Sequence, residues 1–280
     1  MFGRRQQQYG GGYGRSPMGG GSRRGGRFKL MLIIGLAIAG FHFLKYFTAT
    51  QVNPITGEKQ HVSLTPEQEV ALGLQSAPHM VQQHGGLHPD QRAQGYVKDV
   101  GRKLVESTVA RQSGYEYGFH LLADPNVINA FALPGGQVFI TEALFAKLTT
   151  EDQLAGILGH EVGHVIHRHG AERLAKQGLT QGLITSVMVG SGDASATQMA
   201  QAIGSMVNMK YGREQELESD DFGVRMMMEA GYDPRSLLEV MDILEDAAGP
   251  NRTPEHLSTH PNPDNRREMI MDAMEKYSRG

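Results

Sequence analysis

Thr149-Thr150-Glu151-Asp152-Gln153-Leu154-Ala155-Gly156-Ile157-Leu158-Gly159-His160-Glu161-Val162-Gly163-His164-Val165-Ile166 is the stretch on which both fold and chemistry turn. Threonines followed at once by two acids are a helix start, and Leu154, Ile157, Leu158, Val162, Val165 and Ile166 recur at helical spacing behind them. On such a helix His160 and His164 lie four apart on one face, so both imidazoles reach a single metal ion. Glu161 sits about 100° round the helix, where its carboxylate reaches a water on that ion without becoming a ligand. A tetrahedral zinc with three protein ligands keeps one open position, lowers the pKa of its water and polarises a carbonyl, while the carboxylate takes the proton. That is equipment for amide hydrolysis, and the chemistry asks for one Zn2+ per chain.

A third ligand has to come from elsewhere. His167 continues the stripe, but from residue 160 to 167 a helix rises about 10 Å, too far for one tetrahedral ion with bonds of about 2 Å. His167 and His169 are therefore read as surface groups or as partners of the ligands. The long metzincin signature is absent, because Gly would be needed at 167 and His at 170, where the chain has His167 and Gly170. The remaining source is a distant carboxylate. Arg213-Glu214-Gln215-Glu216-Leu217-Glu218-Ser219-Asp220-Asp221 is a helical stretch in which Glu216 and Asp220 share a face. Glu216 is expected to bind the metal, and Asp220 to hold a ligand imidazole by its second nitrogen. Glu214, Glu218 and Asp221 are read as a solvated acidic face.

Working outward, the 280 residues are 39% hydrophobic and 20% charged, enough for a real core. Without cysteine there are no disulfides, no thiolate nucleophile and no thiolate metal site, so any metal must use His and carboxylates. A net charge of −3 gives no chain-wide field that would recruit nucleic acid. The distribution is uneven, however. Residues 1–29 form a Gly- and Arg-rich stretch with Arg4, Arg5, Arg15, Arg23, Arg24, Arg27 and Lys29 and no acid, expected to be a disordered, solvated tail. Residues 30–47 are apolar with aromatic and lysine flanks, and read as a signal anchor or as a cleaved signal peptide, since Ala37-Ile38-Ala39 fits a cleavage pattern. Either way the cationic flank stays in the cytoplasm and the rest is exported, membrane-anchored or soluble in the periplasm. Residues 48–64 read as a linker and 65–280 as one domain.

Within that domain Thr65-Pro66-Glu67 starts a helix, a second runs over about 89–107, and Tyr115–Leu122 and Gln137–Thr141 are strand-like around the Pro134-Gly135-Gly136 break. Residues 178–209, rich in small residues and Met, read as packed helices, and further helices are expected at about 213–230, 234–247 and 263–278. The sum is an α+β, mainly helical domain with a small sheet beside the H-E-x-x-H helix.

H-E-x-x-H with E-x-x-x-D about fifty residues later resembles the gluzincin peptidases of the HtpX and CAAX-prenyl-protease family, which has periplasmic and mitochondrial quality-control members. Asn129-Ala130-Phe131-Ala132-Leu133-Pro134-Gly135-Gly136, Ser258-Thr259-His260-Pro261 and Arg266 carry the likeness further, over roughly residues 54–277. The resemblance implies a zinc endopeptidase acting on unfolded or misfolded polypeptides, with Gln137–Thr141 as an edge strand for substrate and contacts at Asn129, Gly136, Gln137 and Val138. It also places His260 and Arg266 near the scissile bond. There either could stabilise an oxyanion, or His260 could fill the fourth zinc position in a resting enzyme. Without several long apolar spans, the chain is closer to the single-anchored or periplasmic branch than to the one taking prenylated substrates. The rival function is a non-catalytic chaperone or scaffold stabilised by zinc, and the intact Glu161 speaks against it.

Overall fold

The computed structural model of the protein describes residues 50–178, 201–248, 254–262 and 265–279. The tail, the apolar segment 30–47 and residues 179–200 lie outside them. Among the described residues no helix is long and apolar enough to cross a membrane.

The sheet is small. β3 (Gly118–Leu122), β4 (Ala130–Ala132) and β5 (Gln137–Thr141) are arranged β3-β5-β4, with β3 parallel and β4 antiparallel to β5. The tight β4–β5 return is made by Gly135 (φ +81°) and Gly136 (φ +107°), a backbone only glycine adopts without strain. This order corrects one expectation: β5 is the central strand, bonded on both sides, and β4 is the edge. Alternation along the strands sorts the core into two halves. Val138, Ile140, Leu121 and Ala132 face α2 (Gln91–Glu106), α4 (Glu151–Ile166), α6 (Arg213–Glu229) and α7 (Ser236–Asp246). Phe139, Phe131 and Leu122 face α1 (Pro66–Gln83), α5 (His169–Lys176) and the helical residues 201–207. The short α3 (Glu142–Phe145) follows β5, and α8 (Glu255–Thr259) and α9 (Arg266–Ser278) close the chain.

The helix starts read from sequence are present. Thr65 caps α1 in a reciprocal pair with Gln68, and the Thr150 hydroxyl accepts from the Gln153 amide at the head of α4. The expected linker 48–64 instead contains an antiparallel pair, β1 (Thr50–Val52) and β2 (Lys59–His61). It is docked by buried amides: Asn53 Nδ2 donates to the Ile166 carbonyl at 2.7 Å and Gln60 Nε2 donates to the His167 carbonyl. These satisfy carbonyls at the C-terminal end of α4 that the helix itself leaves unpaired.

Candidate metal and catalytic site

Two helices meet at glycines. A Cβ on Gly163 of α4 would lie 2.8 Å from the Ser219 carbonyl oxygen of α6, and one on Gly223 would lie 3.2 Å from the His160 amide. Only this close approach lets side chains from both helices converge on one point.

The convergence is tight. His160 Nε2 and His164 Nε2 are 3.0 Å apart, and each is 3.2 Å from His260 Nδ1. Glu216 Oε1 is 3.1 Å from His260 Nδ1 and 3.5 Å from His164 Nε2, and Glu216 Oε2 is 3.6 Å from His160 Nε2. Neighbouring donors on a tetrahedral zinc with bonds of about 2.0–2.1 Å stand about 3.3 Å apart, so these four atoms fit the corners. All four residues are buried. Nitrogen and oxygen lone pairs aimed at one another across 3 Å repel unless a proton or a cation lies between them, and three imidazoles with one carboxylate are a zinc donor set.

The ligand rings are held from behind. His160 Nδ1 is 2.7 Å from Asp220 Oδ1, and Asp220 is gripped twice by Arg266, Nε to Oδ2 at 2.6 Å and Nη2 to Oδ1 at 2.9 Å. This pairing with Arg266 and His160 drives the Asp220 carboxyl far below the usual range, although burial opposes it. Arg266 Nη1 also lies 3.1 Å from Glu216 Oε2. Arg266 thus stands behind the donor cluster, clamped to two carboxylates, and the oxyanion role expected for it does not fit this position.

His164 is held differently. Its Nδ1 is 2.8 Å from His169 Nδ1, and His169 Nε2 is 2.9 Å from Glu218 Oε2. Neither His167 nor His169 is a surface group, for both are buried. The reason is Arg168, which turns into the left-handed region (φ 56°) and ends the helical stripe, so His169 folds back onto His164. A left-handed non-glycine costs about 1–2 kcal/mol. Offsetting it, the buried guanidinium binds Glu69 Oε1 at 2.8 Å, the Leu64 carbonyl at 2.7 Å and Gln51 Oε1 at 2.9 Å. Glu218, though partly exposed, is therefore paired rather than simply solvated; Asp221 also pairs, with Lys276 and Tyr277, and Glu214 is the most exposed of the three.

Glu161 is fully buried and faces the Ala132 backbone N–H, and no side chain hydrogen-bonds its carboxylate. Burial, and next the Glu216 charge, push its carboxyl well up. Burial likewise raises Glu216 to about 7. Glu161 Oε1 is 3.6 Å from His260 Nε2, so His260 bridges donor cluster and base.

Spacing left several neighbours unseen. Tyr211 stacks on His164 at 3.8 Å, and its amide donates to the Thr259 carbonyl at 2.8 Å, tying α8 to the site. His256 stacks on His260 at 4.4 Å; its position one helical turn before His260 was the available signal. The His256 amide donates to the Ile128 carbonyl at 3.1 Å and Asn129 Nδ2 donates to Glu255 Oε1 at 3.2 Å, so α8 is bonded to the two residues that lead into β4. A groove of about 770 Å³ lined by Ile128, Ala143, Lys147, Pro254, Glu255 and Ser258 flanks it. Of the four positions expected to touch substrate, one borders the edge of β4. Gly136, Gln137 and Val138 are buried in or beside the central strand, with Gln137 bonded to His120 at 2.9 Å, while Asn129, also buried, borders the edge.

Residues 91–273 match the family model described as Peptidase family M48. The chain belongs to peptidase family M48. It is 31% identical over 259 residues to the human protein named "Metalloendopeptidase OMA1, mitochondrial", covering 86% of itself and 49% of that protein. To the Schizosaccharomyces pombe "Mitochondrial metalloendopeptidase OMA1" it is 29% identical over 241 residues, 82% of this chain and 67% of the relative. To the Yersinia pestis "Beta-barrel assembly-enhancing protease" the figures are 30% over 253 residues, 84% and 50%. The chain thus spans about half the length of most of these curated relatives. Family M48 is a peptidase family, and the human and Schizosaccharomyces pombe relatives are named as metalloendopeptidases.

Proposed function

We propose that the chain is a zinc-dependent endopeptidase in which His160, His164 and Glu216 hold the ion, Glu161 moves the proton, and His260 closes the fourth position at rest. The observation that carries this is the convergence of His160 Nε2, His164 Nε2, His260 Nδ1 and the Glu216 carboxylate at 3.0–3.6 Å, with the buried carboxylate of Glu161 beside them.

The chemistry such an ion supplies is polarisation of the scissile carbonyl and a nucleophile at neutral pH. The chain does the rest. Asp220 fixes the His160 ring so that Nε2 faces the site, and His169 does the same for His164. Glu161 accepts a proton from the attacking water and delivers it to the leaving nitrogen. A substrate backbone would add as a strand to the outer edge of β4, at whose entry α8 is now bonded to Ile128 and Asn129. Opening α8 would therefore release His260 and the strand edge in one movement.

The substrates we assign are unfolded or misfolded polypeptides of exported or membrane-associated proteins, in keeping with relatives named for mitochondria and β-barrel assembly. Residues 30–47 would hold the domain at the membrane, outside the cytoplasm. The test is Glu161→Gln with casein as substrate. Zinc content and fold should be retained and turnover lost; turnover within a few-fold of the parent would sink the assignment.

A further inference from the structure

A second group of metal-type donors lies outside the donor cluster, at the junction of the β1–β2 hairpin, the α4–α5 turn and α6. His167 and His169 lie 5.4 Å apart with their rings nearly parallel and face the same carboxylate. Glu218 Oε2 is 2.9 Å from His169 Nε2 and 4.0 Å from His167 Nδ1, while Glu58 Oε2 approaches His167 Nδ1 to 3.4 Å from the hairpin. His167 is more than nine-tenths buried, yet its Nδ1 has no hydrogen-bond partner. A buried nitrogen left without a hydrogen bond is destabilising, and this one is aimed between two carboxylates. Both carboxylates are partly exposed, so solvent ions have a route in.

We infer that His167, His169 and Glu218 form a second, outer site for a divalent transition-metal ion of the zinc type, with Glu58, beside His167, as the carboxylate that swings in from the hairpin to complete it. Two imidazoles and two carboxylates are borderline donors suited to zinc rather than to magnesium or calcium, and the two negative charges match a divalent ion. The group stands independently of the catalytic reading; only its effect on turnover rests on that reading. The coupling runs through His169. When His164 gives Nε2 to the inner ion, its proton sits on Nδ1 and points at His169 Nδ1, so the proton of His169 must be on Nε2, facing Glu218. An outer ion takes that Nε2. The His169 proton is then displaced to Nδ1, where two N–H groups would face each other across 2.8 Å. Filling the outer site therefore weakens the support of His164 and inhibits the peptidase.

The experiment counts zinc by equilibrium dialysis on the full chain, from a start of one equivalent, and follows casein cleavage over the same titration. The parent should take up a second, weaker equivalent and lose turnover about fivefold or more as it does. Glu58→Gln and His167→Ala should each retain the first equivalent and the basal activity while losing both the second equivalent and the inhibition. Glu58 is half exposed on a hairpin turn, so its variant keeps the test readable if His167→Ala does not fold. Glu216→Ala should lose the inner ion and still bind one at the outer group, which separates failure of this site from failure of the catalytic assignment. A parent that stops at one equivalent, or a second equivalent that survives in both variants, would overturn the outer site; inhibition unchanged in both would overturn the coupling.

Discussion

His260→Ala is the substitution on which the resting-state geometry makes its sharpest demand. In the structure His260 Nδ1 completes the donor cluster at 3.1–3.2 Å from three others, its ring stacks on His256, and its amide bonds the His256 carbonyl at 2.7 Å. Truncation removes the fourth donor and the stacking but leaves His160, His164 and Glu216, so zinc should stay. If closure is favoured by about 1.4–2.8 kcal/mol, the open form is about 1–10% of the parent, and abolishing closure raises turnover about ten- to hundredfold. An oxyanion donor has the opposite sign, with a loss of about a hundredfold or more. The assay is initial-rate cleavage of an unstructured protein at saturating concentration, with zinc measured on the same samples. A fall in turnover, or no change, with zinc retained would refute the closed resting state.

Gly163→Ala puts a methyl 2.8 Å from the Ser219 carbonyl oxygen and 2.9 Å from its Cα; the helices must part, at a cost of about 1–3 kcal/mol, and zinc binding should fall in a chelator competition. Asp220→Asn keeps the shape but loses the charge-assisted bonds to His160 and Arg266, and should weaken zinc affinity about 10- to 100-fold by the same competition, leaving Arg266 buried without its main counter-charge. Acid should unfold the metal-free protein. Burial holds His164, His169, His256 and His260 far below the ordinary 6.5 while raising Glu161 and Glu216. As pH falls through 6.5 the unfolded chain gains protons on four imidazoles that the fold keeps neutral, against two carboxylates working the other way. The unfolded state therefore binds more protons, and stability falls with pH. A melting temperature that does not drop between pH 7 and pH 5.5 would contradict this.

The parts of the site that lie along one helix were readable, because helical periodicity alone puts His160 beside His164 and Glu216 beside Asp220. What periodicity cannot supply is the distance between helices. The glycine contacts at 163 and 223 set that distance, and in sequence they are merely small residues. The strand order was lost for a similar reason: Gln137–Thr141 reads as a strand either way, and only the return through Gly135 and Gly136 makes it central and Ala130–Ala132 the edge. Glu218 shows the limit most clearly. On its own helix it does point away from Glu216, as spacing says, but the left-handed turn at Arg168 carries His169 round to meet it. That turn is stabilised by Glu69 and Gln51, about a hundred residues earlier in the chain, and by the hairpin read as a linker. A residue's role is local only while its neighbours are local. His260 was found through resemblance because its partners at the site are not: His160, His164 and Glu216 stand 44 to 100 residues away from it, and among the residues around it His256 alone was marked by spacing. In the closed resting state proposed above, the His256 ring stack and the Tyr211 amide bond to the Thr259 carbonyl are the contacts that α8 would have to give up for His260 to leave the ligands.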